Sequence, residues 1–385
     1  MPRRKCLFAQ GQRFFSSGFK AFIHCKRTTD TTQDPEPRAY TTKHFRRHDA
    51  LVGILINMDI ETLWQMPNNE VASMIERGKF PNSSKKIRFY APSFIYYKTG
   101  YFCSSPTAFP SISITGSSCA LKCKHCDGRV LNTMFPALTP KKLFNLCVKL
   151  KNRGAIGCLI SGGCLPDGSV PLNKFVDAIA KIKSELGLTI AAHTGVIDLS
   201  TAKRLKKAGV DAALIDIIGS DETIQEVYQL KVTVEDFDRS LRALHEYEIP
   251  LVPHVLVGLH HGKLKGELQA LKMISKYSPS AVIIIAFMPI HGTPMEKVNP
   301  TEPEDIAKVL VTARLMMPQT PIVLGCMRPK GKHRKRTDTL AVKAGVNAIA
   351  FPTEEAIQLA ESTGLEITFS SLCCSQIFED IKFGI

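Results

Sequence analysis

The chain has 385 residues, of which 44% are hydrophobic and 22% are charged, so it can build a full hydrophobic core in one large domain or two small ones. No apolar run approaches about 18 residues, which predicts no membrane span. A chain of this length needs no disulfides among its twelve cysteines, and clustered thiols fit a reducing compartment, so we expect an intracellular, cytoplasmic protein.

The net charge of +15 is concentrated near the N-terminus. Residues 1–57 hold eleven Lys or Arg against four acidic residues, and residues 1–29 hold no acidic residue at all. This Arg- and Ser-rich, acid-poor character is typical of a transit peptide, which would place the protein in the mitochondrial matrix. The alternative is a disordered extension, with translation starting at Met58 instead of Met1.

Residues 58–110 predict an N-terminal cap. Apolar residues recur at helical spacing over 58–77, and the alternation over 87–97 is typical of a hairpin or an irregular strand that leads onward. After this cap the pattern changes at Ser111.

Over residues 111–370, short β-branched or apolar runs alternate with helical patterns, which predicts an α/β fold with a parallel sheet. The predicted strands are 112–115, 155–161, 188–193, 212–218, 251–258, 281–287, 321–326 and 347–351. The predicted helices between and after them include 140–151, 172–186, 234–247, 303–316 and 354–362. Eight such units favour a complete (β/α)8 barrel of the TIM type, with functional residues after the strands and residues 371–385 as a C-terminal tail.

Three cysteines follow the first predicted strand: Cys119, Cys123 and Cys126. Three thiolates from one loop suit a soft metal centre and leave one coordination position open. A structural zinc site needs four ligands, no second pair with Cys-x2-4-Cys or similar Cys/His spacing follows, and His125 is too close in sequence to supply one easily. The spacing also fits the apolar face of a helix, but the glycines that flank the motif favour a loop.

This Cys-x3-Cys-x2-Cys motif after a first barrel strand resembles the signature of the radical S-adenosylmethionine (SAM) enzymes. The resemblance implies that the three cysteines hold a [4Fe-4S] cluster whose fourth iron is chelated by the amino and carboxylate groups of SAM. It also implies reductive cleavage of SAM to a 5′-deoxyadenosyl radical, with a flavodoxin or ferredoxin type of electron donor.

Ser161, Gly162 and Gly163 end the second predicted strand. Glycines let a ligand approach the backbone closely, although an ordinary turn is the alternative. In radical SAM enzymes a Gly-Gly pair at this strand end contacts the amino group of SAM, so the resemblance assigns these residues to SAM binding. The glutamate that often follows in the family is Cys164 here.

Two later loops supply further candidates for SAM binding. Ser220 and Glu222 follow the fourth strand and are similar in position to the ribose loop of biotin synthase, or they cap the next helix. Gly292 and Thr293 lie in the run Met288-Pro-Ile-His-Gly-Thr-Pro294, which resembles the turn that borders the adenine of SAM in biotin synthase and its relatives.

Thiols beyond the first motif raise the question of a second iron-sulfur cluster. Biotin synthase takes sulfur from an auxiliary cluster on several strands; Cys158 can match one of its ligands, whereas His193 and His254 occupy strands three and five. A second cluster or a sulfur-accepting site is one interpretation of the remaining thiols, and idle buried cysteines are the other. These thiols are Cys164, Cys326, Cys373 and Cys374.

The resemblance covers roughly residues 111–351 and extends to the biotin-synthase-related proteins of archaea and some bacteria. One branch of these proteins serves in a two-protein lipoyl synthase. The sequence therefore predicts a radical SAM enzyme, with sulfur insertion as in lipoyl or biotin synthesis as the favoured chemistry and with its substrate and catalytic residues unassigned. Rearrangement or methylation, or a zinc or thiol binding module without catalysis, are the alternatives.

The basic run 328–336 follows the seventh predicted strand, on the expected active-site face. Such a run is either a solvated loop or a docking surface for an acidic carrier protein or a partner subunit. No aromatic residues are interleaved with the charges, so the sequence does not favour nucleic-acid binding.

Overall fold

The computed structural model describes residues 58–78, 85–93 and 95–383. The predicted basic extension 1–57, with its targeting segment and the choice between Met1 and Met58, lies outside the described residues. Within them, no helix is both long enough and apolar enough to cross a membrane.

A single parallel sheet organises the described chain. Its strands, numbered in chain order, are β1 Lys86–Tyr90, β2 Ser111–Ser113, β3 Phe135–Pro136, β4 Gly157–Ser161, β5 Thr189–His193, β6 Ala212–Asp216, β7 Leu251–Val257, β8 Val282–Ala286, β9 Ile322–Leu324, β10 Ala348–Ala350 and β11 Glu366–Ser370. Their order across the sheet is β11-β1-β10-β9-β8-β7-β6-β5-β4-β2-β3. The edges of this row are β11 and β3, and no hydrogen-bonded pair joins them within the described part of the chain.

Helices make most of the crossovers, as parallel strands require. The α-helices are Ile60–Gln65, Asn68–Arg77, Pro140–Asn152, Val176–Lys181, Leu199–Lys207, Asp221–Thr223, Val234–Glu246, Glu267–Ser275, Pro303–Met316, Lys332–Lys343, Glu354–Ser362 and Ile377–Lys382. Short 3-10 segments are Arg129–Thr133, Leu172–Phe175 and Cys374–Gln376, and π-helical segments are Ile182–Leu186 and Ile224–Tyr228.

Local sequence signals account for where several helices begin. Pro140 stands at the first position of its helix, where a missing N–H is harmless, and the Thr139 hydroxyl accepts a hydrogen bond from the Lys142 N–H at 3.2 Å. Asp198 caps the helix Leu199–Lys207 in the same way, accepting from the Thr201 N–H at 2.6 Å. These caps fix the helix starts and hence the lengths of the loops after the strands.

The strands alternate between two hydrophobic layers because successive side chains point to opposite faces of a sheet. In β6, Ala213 and Ile215 pack under the helices, whereas Leu214 belongs to an inner cluster. Residues from both sides of the strand order line one cavity: Ser111 belongs to β2, whereas Cys326 follows β9 and Cys373 follows β11. The sheet must therefore curl around that cavity, and the curl brings the carboxyl ends of its strands together.

The predicted α/β barrel class is confirmed, and all eight predicted barrel strands are present. They form a curled, open row and not a complete ring, and β1, β3 and β11 extend that row. Of the hairpin and the irregular strand expected over 87–97, the first half forms a strand: Lys86–Tyr90 pairs in parallel with β10 and β11 and not within a hairpin. Its partners come late in the chain, so the local alternation of side chains carries no sign of them.

The helical segment predicted for residues 58–77 forms two helices, Ile60–Gln65 and Asn68–Arg77. They pack on the helix Pro303–Met316. The buried Lys308 ammonium of that helix donates to the Met66 carbonyl oxygen at 2.7 Å and to the Asn68 side-chain oxygen at 3.0 Å. The N-terminal helices therefore cover the outer layer and leave the carboxyl ends of the strands free of this contact.

Several charged side chains of the basic run 328–336 form ion pairs within the fold. Arg328 is fully buried and forms an ion pair with the equally buried Asp338 at 2.8 Å. Arg336 pairs with Glu304 at 2.9 Å. The run is thus only in part the solvated loop or docking surface that its composition suggested.

We expect Arg328→Ala to lower the free energy of unfolding by about 3–5 kcal/mol, because the buried Asp338 carboxylate would then lack the positive charge that it pairs with. The same change removes the donors to the carbonyl oxygens of Gly325 and Phe351. Lys330→Ala at an exposed position of the same run is the matched control. Urea unfolding measures both variants, and equal stability would show that the buried ion pair contributes nothing.

Candidate cluster and cofactor site

A cavity with a volume of about 380 Å³ lies at the carboxyl end of the curled sheet. Its wall is largely apolar, with Leu159, Leu214 and Ile283 among the side chains that reach it. Thiols from separate parts of the chain also line it, and these are Cys119, Cys123, Cys126, Cys164, Cys326, Cys373 and Cys374. The cavity therefore brings together thiols that are more than two hundred residues apart in the sequence.

The first three of these thiols lie in consecutive turns after β2. The N–H groups of Cys126 and Asp127 both donate to the Cys123 carbonyl oxygen, at 3.1 and 2.8 Å. Asp127 and Gly128 then take left-handed φ values of 44° and 72°, which bend the chain away. Residues 119–126 are therefore a loop and not a helix, and their three thiols face one cavity.

The pKa values of these three thiols differ because of hydrogen bonds between sulfur atoms. A hydrogen bond with the Cys123 thiol lowers the pKa of Cys126 to about 4, and the same bond raises the pKa of Cys123. A hydrogen bond with Cys164 lowers the pKa of Cys119 to about 6. Metals bind the thiolate, so the lowered pKa values of Cys119 and Cys126 favour metal binding at two of the three thiols.

His125 lies nearer to the thiols than its place in the sequence suggested. One ring nitrogen of His125 and the sulfurs of Cys123 and Cys126 all lie within 4.8 Å of one another. The Nδ1 atom of His125 is buried without a hydrogen-bond partner among the described residues, and the ring packs against Tyr228 with centroids 5.1 Å apart. A mixed Cys and His metal site is therefore a real chemical alternative at this loop.

The Ser161-Gly162-Gly163 strand end lines the cavity beside the cysteine loop. The Gly163 N–H donates to the Thr115 hydroxyl at 2.7 Å, and the next residue, Cys164, accepts from the Ala120 N–H at 2.9 Å. A Cβ on Gly163 would lie 2.1 Å from the Ser118 carbonyl oxygen. Glycine is needed here because the cysteine loop packs directly on the strand end.

Ser220 and Glu222 are not among the residues that line the cavity. The Ser220 hydroxyl accepts from the Thr223 N–H at 3.3 Å, which is the helix-cap role given above as the alternative. Glu222 is exposed and forms an ion pair with Lys265. The structure therefore supplies a local structural reason for both residues, and their role in ribose binding stays a prediction.

Gly292 and Thr293 form a turn at the rim of the cavity, and Ile290, two residues earlier, lines it. Gly292 has a φ of +76°, and a Cβ there would lie 2.5 Å from the Arg129 guanidinium. The buried Thr293 hydroxyl donates to the Ile290 carbonyl oxygen at 2.8 Å. The turn is thus held against the segment that follows the cysteine loop, although neither residue's own atoms line the cavity.

Cys158, considered above as an auxiliary-cluster ligand, faces away from the cavity. Its side chain is buried in the outer layer, where it forms a hydrogen bond with Cys147. The neighbouring Leu159 points inward and lines the cavity instead. The strand alternation therefore rules Cys158 out as a ligand in this cavity.

Three polar side chains on neighbouring strands complete the wall: His193 and Asp216 end their strands, and His254 lies opposite Asp216 in β7. Burial opposes the charge on His193, but the nearby Asp216 carboxylate raises its pKa above the usual value. Burial also opposes the charge on Asp216, yet His193 lowers the pKa of that carboxyl to about 2. Burial lowers the pKa of His254 to about 4. In the sequence, the two histidines stood out only as replacements for cysteine. Asp216 was not predicted, because it ends an apolar strand without any motif.

Comparison with known proteins agrees with this fold and site. Residues 113–266 match the Radical SAM superfamily, and residues 284–369 match the Biotin and Thiamin Synthesis associated domain. The chain thus contains a radical SAM domain followed by a biotin and thiamin synthesis associated domain, and it is similar to biotin synthases. The predicted resemblance to the radical SAM enzymes and their biotin-synthase-like branch is confirmed.

The curated relatives are similar at low identity. Biotin synthase of Leptospira biflexa is 29% identical over 191 residues, which cover 49% of this chain and 53% of the relative. Biotin synthase of Buchnera aphidicola is 26% identical over 251 residues, covering 62% and 70%. The 3-methylornithine synthase of Methanosarcina acetivorans is 22% identical over 302 residues, covering 78% and 77%. The first of these matches spans about half the length of the relative.

Solved structures share the fold. A crystal structure of methylornithine synthase aligns with a TM-score of 0.55 at 18% identity, covering 86% of this chain and 99% of that one. The FeFe-hydrogenase maturase HydG from Carboxydothermus hydrogenoformans aligns with a TM-score of 0.55 at 15% identity, covering 88% and 82%. At these identities the likeness concerns the fold alone.

Proposed function

We propose that this protein is a radical SAM enzyme that holds a [4Fe-4S] cluster on Cys119, Cys123 and Cys126 and reductively cleaves SAM. The observation that carries the proposal is that one loop directs these three thiols into a single cavity at the carboxyl end of a parallel sheet. Three protein ligands suit a cluster that leaves one iron open to SAM. When bound, the cluster supplies the electron that converts SAM into methionine and a 5′-deoxyadenosyl radical.

The chain's own residues give that chemistry a protected place. The apolar wall formed by side chains such as Leu214, Leu256 and Ile283 excludes water from the space in front of the thiols. The Gly163 backbone seats the cysteine loop on β4. These residues hold the position of the reacting centre while the cofactors carry out the bond breaking.

Metal analysis tests the proposal against the zinc or thiol binding module. Anaerobically purified and reconstituted protein should contain about four irons or more per chain. A single bound zinc with no iron would contradict the proposal, because the Cys and His side chains around position 125 would then form the site. Cys103, an exposed cysteine outside the cavity wall, offers a matched Cys103→Ala control for the effect of losing any thiol.

We further propose that the radical serves sulfur insertion into an unactivated carbon, as in biotin or lipoyl synthesis. The support is the similarity to biotin synthases and the second group of thiols that lines the same cavity. In that group the Cys373 thiol accepts a hydrogen bond from the Ser375 hydroxyl at 3.1 Å and is also hydrogen-bonded to the Cys374 thiol. The hydrogen bond with Cys373 and burial raise the pKa of Cys374, and the nearby Cys326 raises it further. A second iron-sulfur cluster on these thiols would supply the sulfur atom.

Iron and sulfide in a variant that lacks Cys119, Cys123 and Cys126 test the second cluster. We expect iron and sulfide to remain after reconstitution, because Cys326 and Cys373 belong to other elements. Further replacement of Cys326 and Cys373 by Ser should remove that remaining portion. No iron-bound sulfide in the triple variant would leave the protein without a sulfur donor of its own, and would favour rearrangement or methylation instead.

We propose an acidic carrier protein as the form in which the acyl substrate arrives, and a flavodoxin or ferredoxin as the electron donor. The exposed Lys330 and Lys332, each without an ion pair in the described chain, support a docking surface smaller than the full basic run. Binding to an acidic acyl-carrier domain should weaken as salt rises, since exposed charges are screened beyond a Debye length of about 8 Å at physiological ionic strength. If a Lys330→Glu, Lys332→Glu double variant bound the carrier domain with unchanged affinity, these two lysines would not form the docking surface.

A further inference from the structure

Three polar side chains on the neighbouring strands β5, β6 and β7 lie together in the wall of the cavity. His193 is the last residue of β5, Asp216 is the last residue of β6, and His254 lies in β7 directly opposite Asp216 in the strand register. One potential ligand atom from each lies within 4.8 Å of the other two. The strands hold these side chains more rigidly than a loop would, which is what a preorganised metal site needs.

The spacing of these atoms fits a metal ion better than a hydrogen bond. His193 Nε2 and Asp216 Oδ1 are 3.4 Å apart, whereas a hydrogen bond between imidazolium and carboxylate is usually about 2.7–2.9 Å. Two ligands on a tetrahedral ion with bonds of about 2.1 Å lie about 3.4 Å from each other. The gap between these two atoms is therefore the separation that an ion between them would impose.

His254 supplies an independent observation. Its Nδ1 atom is buried and has no hydrogen-bond partner within the described chain. A buried polar atom without a partner is destabilising, so native structures rarely keep one without a reason. A metal ion bound through this Nδ1 atom, together with His193 and Asp216, would satisfy it.

We infer that His193, Asp216 and His254 bind a divalent transition-metal ion of the Zn²⁺ or Fe²⁺ class. Two imidazoles and one carboxylate are the donor set that both ions accept. Three protein ligands leave at least one position open toward the cavity, where a carboxylate or thiolate of a substrate can bind. The site is distinct from the thiols of the proposed clusters and does not depend on SAM cleavage.

The other oxygen- and nitrogen-rich group in the described chain is a weaker candidate. Glu222, Glu226 and His260 also have potential ligand atoms within 4.8 Å of one another. However, both carboxylates are exposed, and Glu222 is already paired with Lys265. Only the strand-borne group combines rigid supports, an unpartnered atom and a cavity.

Calorimetric titration of the reconstituted full-length protein with Zn²⁺, and anaerobically with Fe²⁺, tests the inference. We expect at least one of the two ions to bind at one site, with affinity lowered at least about tenfold by His254→Gln and by the isosteric Asp216→Asn. His245→Gln, at an exposed helix position, is the matched control and should leave the affinity unchanged. Circular dichroism checks that each variant is folded, and the two ligand variants give independent readings if one of them is not.

X-ray absorption at the zinc edge then identifies the ligands. Nitrogen and oxygen neighbours at about 2.0–2.2 Å, without sulfur at about 2.3 Å, are the expected result. Sulfur neighbours, binding that survives both ligand variants, or no binding of either ion would each overturn the inference. A protein that cleaves SAM yet binds neither ion here would refute this site alone and leave the proposed function intact.

Discussion

Replacing Cys123 by alanine should abolish SAM cleavage while the protein stays folded. The Cys123 sulfur is one of three from the same loop that face the cavity, and its loss leaves two thiols for a cluster that needs three. The residue lies in a loop outside the strands and helices, and although its side chain packs at the margin of the outer hydrophobic layer, Cys→Ala removes only one sulfur atom there. Methionine and 5′-deoxyadenosine formed from SAM and dithionite measure the effect, together with the visible absorbance of the cluster.

The same experiment on Cys119→Ala and Cys126→Ala should give the same loss, whereas the exposed Cys103→Ala should behave as the unchanged protein does. Cleavage that persists in any one of the three loop variants would refute the assignment of that cysteine. Persistence in all three would move the cluster to other thiols in the cavity wall.

Gly163→Ala should remove most of the iron of the first cluster, although it adds only one methyl group. That group would lie 2.1 Å from the Ser118 carbonyl oxygen and 2.6 Å from the Cys119 Cα, so the cysteine loop must move away from β4. Overpacking of this kind costs about 1–3 kcal/mol, and here the displaced backbone carries a cluster ligand. Iron content and the melting temperature of the reconstituted protein measure the two consequences.

Gly162→Ala is the matched control at the adjacent position. Its added carbon would lie 3.1 Å from the Thr115 side chain, a contact that a small side-chain shift can relieve. We expect this variant to retain its iron. Equal iron in both variants would mean that the strand end does not position the loop, and would return Gly163 to the role of an ordinary turn residue.

The strands of the sheet were predictable because each is a compact apolar run between helical patterns. The same reasoning did not predict β11 and did not predict the parallel pairing of β1. The pairing of Lys86–Tyr90 with residues 348–350 and 366–370 is set by contacts between distant parts of the chain. Local alternation describes a strand but does not identify its neighbours. The open row of strands was hidden from the sequence for the same reason.

The cysteine loop could be predicted from the sequence because its three candidate ligands are close together in the chain. Asp216 was missed because its partners, His193 and His254, come from neighbouring strands and share no motif with it. The inward direction of Leu159 and the outward direction of Cys158 depend on strand register, which composition does not give. Arg328 shows the opposite error, since a basic run that looked solvated contains a fully buried ion pair.

SAM cleavage at a cluster held by Cys119, Cys123 and Cys126 is measured by anaerobic incubation of the reconstituted protein with SAM and dithionite, with 5′-deoxyadenosine quantified over time. We expect 5′-deoxyadenosine to accumulate only with reductant present and to be absent in the Cys123→Ala variant. A protein that contains a full complement of iron and yet forms no 5′-deoxyadenosine under these conditions would refute this function.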